Sequence, residues 1–349
     1  MSENTINKKP RIEYIDLAKG ICITLVVCFH LTLFYNTSLP FDQFFRSFRM
    51  PLYFFLSGCF FKAYEGFGGF VKRKINKLLI PFVFFYVVCS FLIPNILAYY
   101  GVNIRYLPMS QLPFAFLDEN YPSGPIWFLL CLFEINIFFY IIYLFASTFE
   151  KPELIIVLFS LLFGVCGILL SLKGIDIPAN LDSAMSALPF FAVGFMVFRH
   201  TDMLKPNPSD RYLPLMIIGA FAVVLFISPN VSFLKNRFYG YSWLTAYPIG
   251  TLGVFGVIWL SKLLKKLPII SYYGRYSIII LVTHGTVIHF FAAILNRFGI
   301  SPMTQLWLNL LLTMSSYMLI IPFMRKFMPH VTAQKDVITI NNLQITINN

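Results

Sequence analysis

The stretch DLAKGICITLVVCFHLTLFYN, Asp16–Asn36, decides how the chain is read. From Gly20 to Tyr35 it has no acidic or strongly basic side chain. At ~1.5 Å of helical rise per residue, ~20 such residues cross the roughly 30 Å hydrocarbon core of a bilayer. The basic leader Lys8, Lys9 and Arg11 is of the kind that precedes a signal peptide, but no small-x-small cleavage site follows the apolar run. The stretch is therefore expected to remain as a first transmembrane helix.

Working outward, further spans are expected near 48–63, 78–100, 126–148, 154–172, 183–199, 213–229, 242–261, 276–296 and 303–324. The fold class that follows is an all-α integral membrane bundle of about ten transmembrane helices, with both termini cytoplasmic. The second span is the weakest. Only Met50–Phe61 is uncharged, so Arg49 and Lys62 would have to reach opposite interfaces. Composition agrees: 58% of residues are hydrophobic and 12% charged, against ~25% charged in an ordinary soluble domain. The net charge of +12 has a topological explanation rather than a nucleic-acid one. With Lys19 set aside, 19 basic residues fall on the side of the N-terminus and 7 on the other, the bias expected of a cytoplasmic N-terminus.

The expected organisation is a cytoplasmic N-terminal tail (1–15), one membrane domain (16–326) and a polar cytoplasmic tail (327–349), the last read as a mobile appendage with some alternation from Val337 to Ile347. All six cysteines lie inside apolar runs, and no CxxC or Cys/His spacing suggests a metal. No metal site and no permanently bound cofactor are expected.

Ionisable groups at membrane depth cost roughly 2.5 to 3.5 kcal/mol on insertion scales, so each asks for a reason. Lys19 and His30 are eleven residues apart. At ~100° per residue they share one helix face, about 16 Å apart along the axis. In one reading Lys19 reaches for head groups and pairs with Asp16, while His30 bonds a neighbouring helix. In the other, His30 is a general base in a cavity, a task that imidazole suits.

The stretches RIEYIDLAKGICITLVVCFH (Arg11–His30), FRSFRMPLYFFLSGCFF (Phe45–Phe61), KRKINKLLIPF (Lys72–Phe82), GPIWFLLCLF (Gly124–Phe133) and LPFFAVGF (Leu188–Phe195) resemble, in this order, the membrane-bound acyltransferase-3 family, particularly its fucose 4-O-acetylase-like branch. The resemblance covers roughly Arg11 to Met324. It implies a multi-pass enzyme of the bacterial inner membrane that moves an acyl group, usually acetyl from acetyl-CoA, to a hydroxyl of a surface or lipid-linked glycan. Lys19 and His30 match the family's first-helix signature of a basic residue, ten residues, then His, with the cation facing the acyl donor. Arg49 stands where that branch commonly has His.

CoA is anionic and cytoplasmic, so Lys72, Arg73, Lys74 and Lys77 are candidates for its phosphates, alongside a purely topological or lipid-binding role. Arg46 and Arg49, at the outer interface, could hold an acidic acceptor or simply reach for head groups. Ser57 is a candidate cavity wall, although Ser57 and Gly58 would also suit close helix packing. Glu134 lies about 12 Å into the fourth helix, at a depth similar to His30. Trp127, seven residues earlier, shares its face, so the pair could form a sugar platform above a carboxylate that orients His30. The alternative is a protonated Glu134 bonded to another helix.

The late stretch GRYSIIILVTHGTVIH (Gly274–His289) resembles the family's Ser-to-His segment and puts His284 in position to line the donor channel. His289 turns roughly 140° away and is read as structural. Asp182 suits sugar hydroxyls or a helix cap equally. The partners expected are acyl-CoA, a glycan or lipid-linked sugar and the bilayer, with a homo-oligomer open. The rival readings are a transporter or flippase for a lipid-linked saccharide and a catalytically silent scaffold.

Overall fold

The computed structural model describes residues 12–64, 66–101, 105–118 and 121–339. The leader Lys8, Lys9 and Arg11, and the alternating tail beyond residue 339, lie outside these. Helices account for nearly all the regular structure, as they must where lipid offers the backbone no partner but itself. In chain order they are α1 (Glu13–Phe34), α2 (Asp42–Cys59), α3 (Gly66–Tyr99), α4 (Trp127–Ala146), α5 (Pro152–Leu172), α6 (Leu181–His200), α7 (Leu213–Ile227), α8 (Ser242–Leu264), α9 (Pro268–Arg275), α10 (Ser277–Leu295) and α11 (Pro302–Phe327). A two-stranded hairpin, β1 (Val231–Ser232) with β2 (Arg237–Phe238), interrupts the series before α8.

Among the described residues nine helices are long and apolar enough to cross a membrane, and α2 is not one of them. Its first half carries Asp42, Arg46 and Arg49. Its two ends nevertheless lie at opposite ends of the bundle. Gln43 donates to the carbonyl of Ser228 (2.6 Å) and Arg46 to Asn230 (3.5 Å), whereas Phe60, just past the helix, sits beneath the Lys19 ammonium (5.6 Å). Helix α2 thus runs the length of the bundle without being apolar enough to count as a tenth span. It begins at Asp42 rather than near residue 48 and ends before Lys62.

Ion pairs sort the loops into the two sets that alternation predicts. At one end Glu13 meets Lys266 (3.2 Å) and Arg275 (3.3 Å), Lys262 meets Asp210 (2.7 Å), and Lys77 meets Asp336 (2.8 Å). At the other, Asp42 meets Arg46 (2.7 Å) and Arg237 meets Asp176 (2.7 Å). The first set holds most of the basic residues and is called the basic end below.

Backbone contact fixes how neighbouring helices are rotated against each other. A Cβ on Gly58 of α2 would run into the carbonyl of Phe191, and one on Gly194 of α6 into that of Phe55, so these two glycines permit a single close crossing. The same reciprocity joins α1 to α9: Gly20 lies against the Ile270 carbonyl and Gly274 against that of Asp16. The eight-residue α9 is not foreseen by the sequence reading, which leaves 262–275 as a loop, because it is too short and too polar to span. Tyr273 anchors it by donating to the Met314 carbonyl (2.7 Å), and Arg275 pairs with the buried Asp16 (3.6 Å).

Helix α3 contains two π turns, Ile75–Leu79 and Val88–Leu92. Each is followed closely by a proline, Pro81 or Pro94, which has no N–H to continue the α-helical ladder. One expectation is corrected. The segment after α11 is not a mobile appendage as far as it is described: Met328 and Val331 pack on the main core, and Val337 and Ile338 are hydrogen-bonded to Asn76 of α3.

Candidate active site

A cavity of about 490 Å³ opens at the basic end among α1, α2, α3, α4 and α10. Each wall is one helical stripe. α1 contributes Lys19, Ile23 and Val26; α2 Met50, Tyr53 and Ser57, with Phe60 just beyond it; α4 Phe128, Leu129, Leu132 and Asn136; α10 Ser277, Ile278 and Leu281. Steps of three and four residues, with the neighbours Phe128–Leu129 and Ser277–Ile278, turn these side chains to one side of each helix. α3 supplies the basic rim, Arg73, Lys74 and Lys77. The π turn at Ile75–Leu79 widens the helix where these cations project.

The stripes point onward to two histidines. Four residues past Val26, one more turn of α1, comes His30. Three past Leu281, on the same face of α10, comes His284. Their rings lie 5.0 Å apart between centroids and are tilted by 49°. His284 is fully buried, and its Nδ1 is 2.9 Å from the Ile280 carbonyl. A carbonyl can only accept, so Nδ1 carries the hydrogen and Nε2 keeps a lone pair. That Nε2 has no hydrogen-bond partner among the described residues.

On its other side His30 adjoins an aromatic-cationic layer. The Arg49 guanidinium stacks over Phe29 at 3.7 Å and that of Arg46 lies at 5.3 Å. Asp42 holds both arginines, at 3.4 Å and 2.7 Å. Arg49 is therefore packed against α1 at 5% exposure rather than extended to an interface. Its charge stays satisfied by one carboxylate and one ring face.

The remaining candidates separate. Lys19, Ser57, Arg73 and Lys77 line the cavity, while Lys72 is exposed and outside it. Gly58, not Ser57, makes the close helix contact. Trp127 and Glu134 do share a face of α4, but the lining stripe of Leu129, Leu132 and Asn136 lies roughly 160° around the helix from them. Trp127 is buried in the core at 7% exposure, so it offers no open platform. Asp182 is buried at the start of α6, where Oδ1 accepts from the Ser183 N–H (2.8 Å). It lies at the end of the bundle opposite the basic end and outside the cavity. His289 bonds the Gly285 carbonyl (2.8 Å) and meets Phe34 edge-on, away from the pair.

A domain model described as an acyltransferase domain, of the acyltransferase-3 type, matches residues 12–325. The chain belongs to the acyltransferase-3 family. No curated protein and no solved structure matches it. The match spans every helix from α1 to nearly the end of α11, so the histidine pair and every cavity-lining residue named above lie within the acyltransferase-3 domain, and the chain is a multi-pass membrane acyltransferase.

Tyr53, Asn136, Ser277 and Asp336 line the acyltransferase-3 cavity and were not singled out from the sequence. Tyr53 donates to the Lys19 carbonyl (2.9 Å), bracing the first-helix signature. Asn136, almost fully buried, donates Nδ2 to the Leu132 carbonyl (2.7 Å), and its Oδ1 has no hydrogen-bond partner among the described residues. Its signal was available: a side-chain amide within an otherwise apolar stripe of α4.

Proposed function

We propose that this acyltransferase moves an acetyl or related acyl group from acyl-CoA, which approaches from the basic end, to a hydroxyl of a surface or lipid-linked glycan at the opposite end, in a bacterial inner membrane. One observation carries the reading: a single cavity runs from the cations Lys19, Arg73, Lys74 and Lys77 to within one helical turn of the His30–His284 pair. An anionic nucleotide would sit at the rim, and the long thioester arm would occupy the apolar stripe, delivering its carbonyl to the histidines. Asn136 Oδ1 would accept from an amide N–H of that arm, satisfying both groups where water is scarce.

In this reading His30 takes the proton of the acceptor hydroxyl as its oxygen attacks the thioester carbonyl. The C–O bond forms, the C–S bond breaks, and the proton passes from the imidazole to the departing thiolate. The Nε2 lone pair of His284 could accept from the His30 imidazolium through one water. Arg49 and Arg46 would hold an acidic acceptor on the far side of Phe29. Glu134 faces away from the lining stripe and is given no step.

The test is transfer of labelled acetyl from acetyl-CoA by the purified protein, with mass spectrometry of surface glycans from cells with and without it. A gain of one acetyl group per acceptor is expected. Accumulation of an unmodified saccharide across vesicles without consumption of acetyl-CoA would replace this reading with transport.

A further inference from the structure

Asn76 lies within the first π turn of α3 and is completely buried, although it stands between two lysines at the basic end. Its side chain is spent on one piece of backbone. Nδ2 donates to the Ile338 carbonyl (2.9 Å), and Oδ1 accepts from the N–H groups of Val337 (2.9 Å) and Ile338 (2.8 Å). A carboxamide has two donors and two acceptor sites, so three of its four positions are committed to this segment. One residue further on, Lys77 Nζ donates to the Ala333 carbonyl (3.0 Å) and meets the Asp336 carboxylate (2.8 Å). Asp336 itself lines the cavity.

The two anchors differ in kind. The Asn76 bonds are buried and neutral, and breaking them would orphan a buried amide. The Lys77–Asp336 pair is about half exposed on both sides, 46% and 39%, and such pairs are readily exchanged for another anion. An oxygen of a phosphate and an oxygen of a carboxylate make the same charge-assisted bond to an ammonium.

We propose that Ala333–Ile338 is a strap of the donor site. Asn76 tethers it across the rim, and Asp336 holds the place of a donor phosphate on Lys77 until acyl-CoA displaces the carboxylate. The proposal rests on the acyl-CoA reading above. It makes Asp336 a residue that sets donor affinity and keeps the rim closed to weaker anions when no donor is bound.

The test is CoA binding to the full chain in detergent. Asp336→Asn should bind CoA about two- to five-fold more tightly than the unchanged protein, the scale of one exposed ion pair. Asn76→Ala, which frees the strap, should change affinity in the same direction and raise hydrogen exchange at Val337 and Ile338. Glu150→Gln removes the same charge from an exposed site outside the cavity and should leave affinity unchanged. Unaltered or weaker binding by Asp336→Asn overturns the strap while the acyl-CoA reading stands, as does an equal gain from Glu150→Gln. If no form binds CoA, the acyl-CoA reading fails and the strap fails with it.

Discussion

His30 of α1 and His284 of α10 stand with ring centroids 5.0 Å apart, although they come from opposite ends of the chain. The proposed proton relay between these imidazoles runs through one water, and the Ile280 carbonyl fixes which nitrogen of His284 is free to accept. His30→Ala should reduce acetyl transfer by about 10²- to 10⁴-fold, the usual worth of a positioned general base. His284→Ala should also be strongly impaired, and the double variant should be no worse than His30→Ala alone, because groups acting as a unit are non-additive. Single-turnover acetyl transfer measures all three. Independent, multiplying losses would separate the two histidines.

Neutralising the rim should act on the donor alone. Lys77→Gln and Lys74→Gln are expected to raise KM for acyl-CoA with kcat nearly unchanged, and to flatten its dependence on ionic strength. Lys72→Gln should have a smaller effect, since that side chain is exposed and outside the cavity. Steady-state kinetics from low to moderate salt check the order.

Asn136→Leu removes the side-chain Oδ1 from the cavity wall. One hydrogen bond contributes ~0.5 to 1.5 kcal/mol net, so donor affinity should fall about two- to ten-fold. Short-chain thioesters lacking the amide arm should be used equally well by both proteins, and competition between the two donor types reads this directly.

Arg49 is held by Asp42 and by the face of Phe29. Arg49→Lys keeps the charge but loses the planar stack, and should lower transfer to the acceptor while leaving CoA affinity within about two-fold. Arg49→Ala should in addition lower the melting temperature, because a desolvated cation–π contact is worth about 2 kcal/mol. A loss of CoA affinity equal to the loss of transfer would place Arg49 at the donor side instead.

Gly58→Ala and Gly194→Ala each put a methyl group against a carbonyl of the facing helix. Overpacking of this kind typically costs 1 to 3 kcal/mol. Both variants should melt earlier in detergent, whereas Gly285→Ala, with open space at its Cβ, should not.

Much of this was legible along the chain. Apolar length gives the crossings, and basic residues divide the loops into the two sets that the ion pairs later join. The shared face of Lys19 and His30 follows from helical periodicity, and the cavity runs along that face. The same periodicity put Trp127 and Glu134 together correctly, yet said nothing of which way their common face would turn. In the structure it turns from the cavity, and the polar residue that enters is Asn136.

The sequence by itself determined the membrane environment and the long apolar helices, because burial in lipid and the rise of a helix are properties of one segment at a time. The tertiary structure alone decided the rotation of α4, the docking of the short α9 on α1, the meeting of His30 with His284 and the seating of Asp336 on Lys77. Each of these depends on how side chains remote in sequence pack. A pair of facing glycines or a single buried amide can settle that packing, and no pattern within one segment records it.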